Sequence, residues 1–334
     1  MKRREFLVTL SAATPALMLG CQKGEALKSD RLGDLLPQRK LGTTGESVTM
    51  LGLGGYHIGW TTERDAQETI EASLEGGVRF YDTAESYGPH ISEERYGKYL
   101  TPKYRDLVFI MTKTTAKDPK TVQEHLEASL KRLNTDYLDL WQVHSLRNPE
   151  DVDERIENGV LDVFIKAKET GKVRYIGFTG HSNPEAHQRM LERTAGQNIF
   201  DTCQMPINAM DMNYHSFING VLPTLMERNI APLAMKTLAD GRFFAKKQRL
   251  DDIQWESDDP VIPNRLTLEE ALNFVWSLPA SVLITGAENA NLLREKIQLA
   301  HSFSKMSQEK RQTLVEKVAD LADGKVEYYK RPIT

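Results

Sequence analysis

The chain has 334 residues, 40 % hydrophobic and 27 % charged, with a formal net charge of -4. This is a globular composition, which excludes a wholly disordered or multiply membrane-spanning chain. The small negative charge gives no general attraction to nucleic acid or anionic lipid.

At the N-terminus, Lys2, Arg3 and Arg4 precede the uncharged, mostly apolar run from Phe6 to Gly20. That run is shorter than the roughly 20 residues a helix needs to cross about 30 Å of hydrocarbon, so a basic head and a short apolar segment read as an export signal over residues 1–21. RREFL resembles a twin-arginine signal, and MLGC (18–21) resembles a bacterial lipoprotein processing site with Met18 in place of the usual leucine. The expectation is export to the cell envelope or periplasm, with lipid attachment at Cys21 and residues 22–38 as a tether. A cytoplasmic protein with a functionless leader is the alternative. A lipidated Cys21 leaves Cys203 without an intrachain partner, and Cys203 then reads as a small buried apolar side chain.

Residues 39–334 read as one domain. Two short apolar runs around Thr44-Gly45-Glu46 predict a hairpin, followed by a first strand at LGLGG (51–55). Ala66, Ile70 and Leu74 lie four apart and predict a helix over 63–75, stopped by Gly76-Gly77. Strands follow at 78–83, 106–113, 137–144, 175–180, 201–208, 230–236 and 281–286. Helical patterns alternate with them at 92–100, 119–133, 156–170, 184–195, 215–228, 267–277 and 289–302. Eight near-continuous apolar strands, each followed by an amphipathic helix, predict a parallel sheet closed into a (β/α)8 TIM barrel. An open doubly wound sheet is the rival, but it needs fewer strands or a second domain, and no Pro/Gly/Ser-rich linker divides the chain. Residues 238–267 are too long for an ordinary loop and are expected to cover the barrel mouth. An extra helix is expected at 308–322.

Side chains at the C-terminal strand ends of such a barrel converge on one rim. Asp82, Lys113 and His144 end three consecutive strands, and Tyr87 follows in the loop DTAESYG. Carbonyl reduction leaves charge on oxygen that needs a donor and a proton. A phenol supplies the proton, a neighbouring ammonium eases its release, and a carboxylate holds the ammonium. His144 can orient the carbonyl or assist the proton transfer. A hydrolase with paired Asp82 and Glu85 lacks a second carboxylate at another strand end, and a metal site at Asp82 and His144 lacks further ligands. No metal is therefore expected.

YDTAESYG (81–88), MTK (111–113) and LDLWQVH (138–144) together resemble the aldo-keto reductase family, over about Leu41 to His301. The resemblance implies that Asp82, Tyr87, Lys113 and His144 form a catalytic tetrad. In it, Tyr87 is the general acid for reducing an aldehyde or ketone with NAD(P)H and the base for the reverse oxidation. No GxGxxG fingerprint is needed in that family, and LGLGGYHIG (51–59) lacks its spacing. The resemblance gives Gly54 a close approach to the cofactor and sets His57 or Trp60 near the substrate.

Gln204 matches a family glutamine beside the nicotinamide carboxamide. Thr179 or His181 in GFTGHSN stands in for the usual glycine-x-serine-asparagine contacts, or Ser182-Asn183 does so after a shift. Met235 occupies the position of a stacking aromatic, and Lys236 reaches toward pyrophosphate. In TGAENANLLREKI (285–297), Gly286 and Ala287 supply close backbone and Glu295 faces adenine. Leu292 stands where NADP-preferring relatives often carry arginine or glutamine, which leaves Arg294 for the extra phosphate. NADP(H) is slightly favoured over NAD(H). A non-catalytic nicotinamide- or metabolite-binding barrel tethered to the envelope is the competing function, and neither the substrate nor the oligomeric state is legible.

Overall fold

The structure, a computed structural model, describes residues 28–244, 262, 264–324 and 326–330. The expected export signal at 1–21, the Cys21 lipidation site and most of the cover loop lie outside the described residues.

The chain opens with two antiparallel strand pairs, β1 (Ser29–Asp30) with β2 (Gly33–Asp34) and β3 (Gln38–Lys40) with β4 (Ser47–Thr49). Eight strands follow, β5 (Leu51–Gly54), β6 (Phe80–Asp82), β7 (Phe109–Thr114), β8 (Leu138–Val143), β9 (Val173–Thr179), β10 (Thr202–Pro206), β11 (Ala231–Met235) and β12 (Val282–Thr285). They pair in parallel and in chain order, and β12 returns to β5 to close the barrel. Both faces of each strand are buried, which is why the sequence shows apolar runs there and not alternation.

The period of two along a strand still decides what points inward. Phe80, Phe109, Met111, Leu140, Leu233, Val282 and Ile284 form one buried cluster with Leu41 and Val48 of the β3–β4 region, which plug the barrel floor. The Phe80 and Phe109 rings stack with centroids 4.9 Å apart. Stepping two residues along the same inner face from Phe80, Met111 and Leu233 leads to Asp82, Lys113 and Met235 at the opposite rim.

Several elements depart from expectation. The helix predicted over 156–170 is two helices, Pro149–Glu157 and Val160–Glu169. Asn148 caps the first through the Asp151 amide, and Gly159, in the left-handed region at φ 80°, joins them. The predicted 215–228 helix also splits, into Phe217–Gly220 and Leu222–Glu227, with Pro223 in the first turn of the second. A helix not foreseen, Gly55–Trp60, begins directly after β5. Within the segment read as a tether, the β1–β2 pair is tied to the barrel by Asp30, whose Oδ2 lies 2.7 Å from Nε of the buried Arg79. The expected 308–322 helix runs over Gln308–Lys317 and ends in the 3-10 turn Ala319–Leu321. Among the described residues no helix is long and apolar enough to cross a membrane.

Candidate active site

A cavity of about 350 Å³ opens at the C-terminal ends of the barrel strands. Asp82, Tyr87 and His144 line it, with Lys113 buried beneath them. Lys113 forms an ion pair with Asp82 and donates to the Thr83 carbonyl at 2.7 Å and to the Tyr87 hydroxyl at 3.2 Å. His144 follows β8, its amide held by the Thr114 carbonyl at 2.9 Å, and its ring stands edge-on to that of Tyr87 at 5.8 Å. The four side chains that sequence reasoning selected from separate strand ends are thus brought together.

Tyr87 is positioned by a close backbone approach. A Cβ at Gly59 would come within 2.8 Å of the Tyr87 carbonyl oxygen, and Gly88, at φ 63°, would clash equally with Gly59. Glycine at both positions lets the Gly55–Trp60 helix press against the loop carrying the phenol. The Tyr56 ring, on that helix, meets the Tyr87 ring edge-on at 5.5 Å.

Burial pulls the Lys113 ammonium down, but the charge of Asp82 and its contacts with Tyr87 outweigh this and hold its pKa above the ordinary value. Burial raises the Tyr87 phenol, and the Lys113 charge opposes that rise. His144 is driven well below the usual imidazole range by burial and then by repulsion from Lys113, so it is neutral. Because the Tyr87 oxygen accepts from Lys113, its own hydrogen remains to be donated into the cavity.

Burial also brings His181 and His187 down from 6.5 to about 4. A depressed folded-state pKa means that the unfolded chain takes the proton first as pH falls. The stability these three imidazoles confer is therefore complete above the unfolded value and is lost as pH drops through the window toward 4. Urea denaturation midpoints should fall between about pH 7 and about pH 5; a flat profile there would contradict the assignment of buried neutral histidines.

Gly54, Thr179, His181, Gln204, Met235, Lys236 and Gly286 also line the cavity. The buried Gln204 Oε1 has no hydrogen-bond partner, and neither has His144 Nδ1. His57 reaches the cavity from the unforeseen helix, with its Nε2 2.9 Å from Asp240 Oδ1 and 3.5 Å from Glu288 Oε1. Only a glycine fits at position 286, where a Cβ would stand 1.9 Å from His57 Nδ1.

Four expected contacts are not in the lining. Trp60 ends its helix outside the cavity wall and leans toward the Tyr56 ring at 6.3 Å. Ala287 is fully buried behind the wall. Arg294 and Glu295 lie on the exposed side of the helix Ala290–His301, where Arg294 donates to Asn291 at 3.2 Å. The residue that the linear motif missed is Lys296, buried on the wall with its Nζ 2.6 Å from the Gly286 carbonyl. Helical phase explains the exchange: Ala290, Leu293, Lys296, Ile297 and Ala300 share the buried face, and 294 and 295 fall opposite. Among the described residues there is no group of three metal-ligating side chains.

Residues 50–321 match the aldo/keto reductase family, and the chain belongs to it. It is an NAD(P)-dependent oxidoreductase of the aldo-keto reductase type. Aldo-keto reductase YhdN of Bacillus subtilis is 33 % identical over 234 residues, covering 65 % of this chain and 66 % of that protein. The 6-dehydroglucose reductase of Novosphingobium aromaticivorans is 25 % identical over 280 residues, 77 % of this chain and 88 % of the relative. The fold matches the holo form of aldo-keto reductase AKR11C1 from Bacillus halodurans with a TM-score of 0.69 at 23 % identity, covering 84 % of this chain and 96 % of that one.

Proposed function

We propose that the chain reduces an aldehyde or ketone to an alcohol with NADP(H), favoured over NAD(H), and that Tyr87 is the general acid. The observation that carries this reading is the Lys113 hydrogen bond to the Tyr87 oxygen at 3.2 Å, which leaves the phenolic hydrogen free to face a carbonyl in the cavity.

The wall fits the cofactor. The unpartnered Gln204 Oε1 is an acceptor for an amide donor, Met235 offers a polarisable face to an aromatic ring, and Lys236 and Lys296 are two cations on the wall that would hold phosphate groups. When bound there, the reduced nicotinamide supplies a hydride to the carbonyl carbon. Tyr87 meets the charge growing on the carbonyl oxygen and delivers its proton to that atom. Lys113 stabilises the phenolate left behind, and Asp82 keeps Lys113 charged and in place. Neutral His144 lines the same space and orients the carbonyl by a second hydrogen bond. In the oxidative direction the phenolate of Tyr87 accepts the alcohol proton.

Titration of the purified protein with NADPH and with NADH, followed by tryptophan fluorescence, should show saturable quenching by NADPH. Addition of a panel of aldehydes and ketones should then consume the bound NADPH. Failure of both dinucleotides to bind would overturn the reading, and binding with no carbonyl consumed would leave a binding barrel in place of an enzyme.

A further inference from the structure

The cavity that holds the tetrad adjoins a cleft of about 560 Å³, walled by the loops after β7, β8, β9 and β10 and by Lys330. In two of those loops the walls run on along the chain: Ser145 lines the cavity and Arg147 the cleft, and His181 lines the cavity and Ser182 the cleft. The ridge between them is held in place. The Leu146 amide donates to the Thr179 carbonyl at 2.9 Å, and His181 Nδ1 meets the Tyr329 carbonyl at 3.1 Å. The buried Lys330 ammonium lies 2.7 Å from Asp211 Oδ1 and 2.8 Å from Glu327 Oε1 and donates to the Tyr214 carbonyl at 2.7 Å, which ties the chain end to the far wall of the cleft. Lys236 and Lys296 follow β11 and β12, whereas β8 stands opposite β12 in the closed ring. A dinucleotide held by those two cations leaves the cleft to the other reactant.

Both spaces are polar on this side. The aliphatic and thioether side chains that line the cavity, Met235, Leu238 and Ile284, all come from β11, its following loop and β12. The tetrad side carries hydroxyls instead: Ser86 precedes Tyr87, Thr115 stands two positions after Lys113, and Ser145 follows His144. Thr115 Oγ1 donates to Glu85 Oε1 at 2.7 Å, which leaves its oxygen to accept. Among the described residues, the only apolar surface in the cleft is the half-buried ring of Tyr214, which meets the His215 ring edge-on at 4.6 Å. Asn148 and Asn183 accept the amides of Asp151 and Glu185 at 2.8 Å, so their own amide hydrogens are left to donate. Lys117 pairs with Asp151 and Glu154, while Arg147, Glu150 and Glu185 make no ion pair among the described residues. One open cation beside two carboxylates gives no strong field of either sign, so the wall does not select a highly charged ligand. Closely spaced donors and acceptors around one ring face suit a sugar, whose hydroxyls both donate and accept and whose C–H groups pack on an aromatic ring.

We propose that the substrate is an uncharged polyhydroxylated carbonyl compound, with its carbonyl-bearing unit in the cavity and a further sugar unit in the cleft. This deepens the reductase reading and rests on it. Ser86, Thr115 and Ser145 bond the hydroxyls on the carbons next to the carbonyl. Across the ridge, Arg147, Asn148 and Asn183 donate to the second unit, Glu150 and Glu185 accept from it, and the Tyr214 ring covers its C–H face.

Two measurements on the full chain test this. NADPH consumption is compared for glyceraldehyde against propanal, and for maltose and cellobiose against glucose. Calorimetric titration with maltitol, cellobiitol and sorbitol, with and without NADPH, reads binding in the absence of turnover. Glyceraldehyde should exceed propanal in kcat/KM by about tenfold or more, at least one disaccharide should exceed glucose by about tenfold, and its alcohol should bind about tenfold tighter than sorbitol. Arg147 and Glu185 are exposed, so R147A and E185Q should fold. Each should cut the ratio of disaccharide to glucose in kcat/KM, and of disaccharide alcohol to sorbitol in affinity, by about fivefold or more. Propanal reduced as well as glyceraldehyde, disaccharides and their alcohols no better than glucose and sorbitol, or ratios that neither variant moves would overturn the proposal. Binding of a disaccharide alcohol by a protein that consumes NADPH with no carbonyl would overturn the reductase reading and keep the sugar subsite.

Discussion

Replacing Lys113 by methionine is expected to lower carbonyl reduction by about a thousandfold and to destabilise the fold by about 3–5 kcal/mol. Both effects follow from one ammonium, which is 1 % exposed, paired with Asp82 and bonded to the Tyr87 hydroxyl. Without it, the Asp82 carboxylate is left buried with no cation, and the penalty for breaking a buried pair from one side exceeds what the intact pair contributes. The Tyr87 phenol loses the charge that opposes its burial, so its pKa climbs further. Alcohol oxidation, which needs the phenolate, should therefore suffer more than carbonyl reduction at the same pH. The double variant D82N/K113M separates the two effects, because removing the stranded carboxylate should recover most of the stability and none of the turnover. Urea denaturation and initial rates in both directions check this, and a K113M protein with unchanged rates would remove the ammonium from the mechanism.

The barrel and the four central residues were legible because both follow from short-range rules. An inward-facing position recurs every second residue, so Phe80 to Asp82 and Met111 to Lys113 could be followed to the rim from the sequence alone. Gln204, Met235 and Thr179 lie on the wall for the same reason. The remaining residues depend on information that is not local. Arg294 was expected to face the cofactor and Lys296 was overlooked, because a loop motif has no rotational phase until the helix start at Asn289 is fixed. Trp60 was expected at the substrate, but the Gly55–Trp60 helix turns it away and presents Tyr56 and His57. Tyr328 and Tyr329 could not be foreseen, since their partners Lys236 and His181 stand 92 and 148 positions away in the chain.

Lys236 and Lys296 stand on the wall of the cavity that holds Asp82, Tyr87 and His144, which divides the work between groups that bind and a group that transfers a proton. The substitution Tyr87→Phe isolates the second, because it removes one oxygen and keeps the ring that packs against Tyr56 and His144. The most direct measurement is single-turnover consumption of bound NADPH by an accepted carbonyl, run on the wild type and on Y87F beside an NADPH titration of each. A general acid predicts NADPH affinity within about twofold of wild type and a rate lower by about 10³–10⁴. A Y87F protein that consumes the cofactor at the wild-type rate would contradict the assignment of Tyr87 as the proton donor.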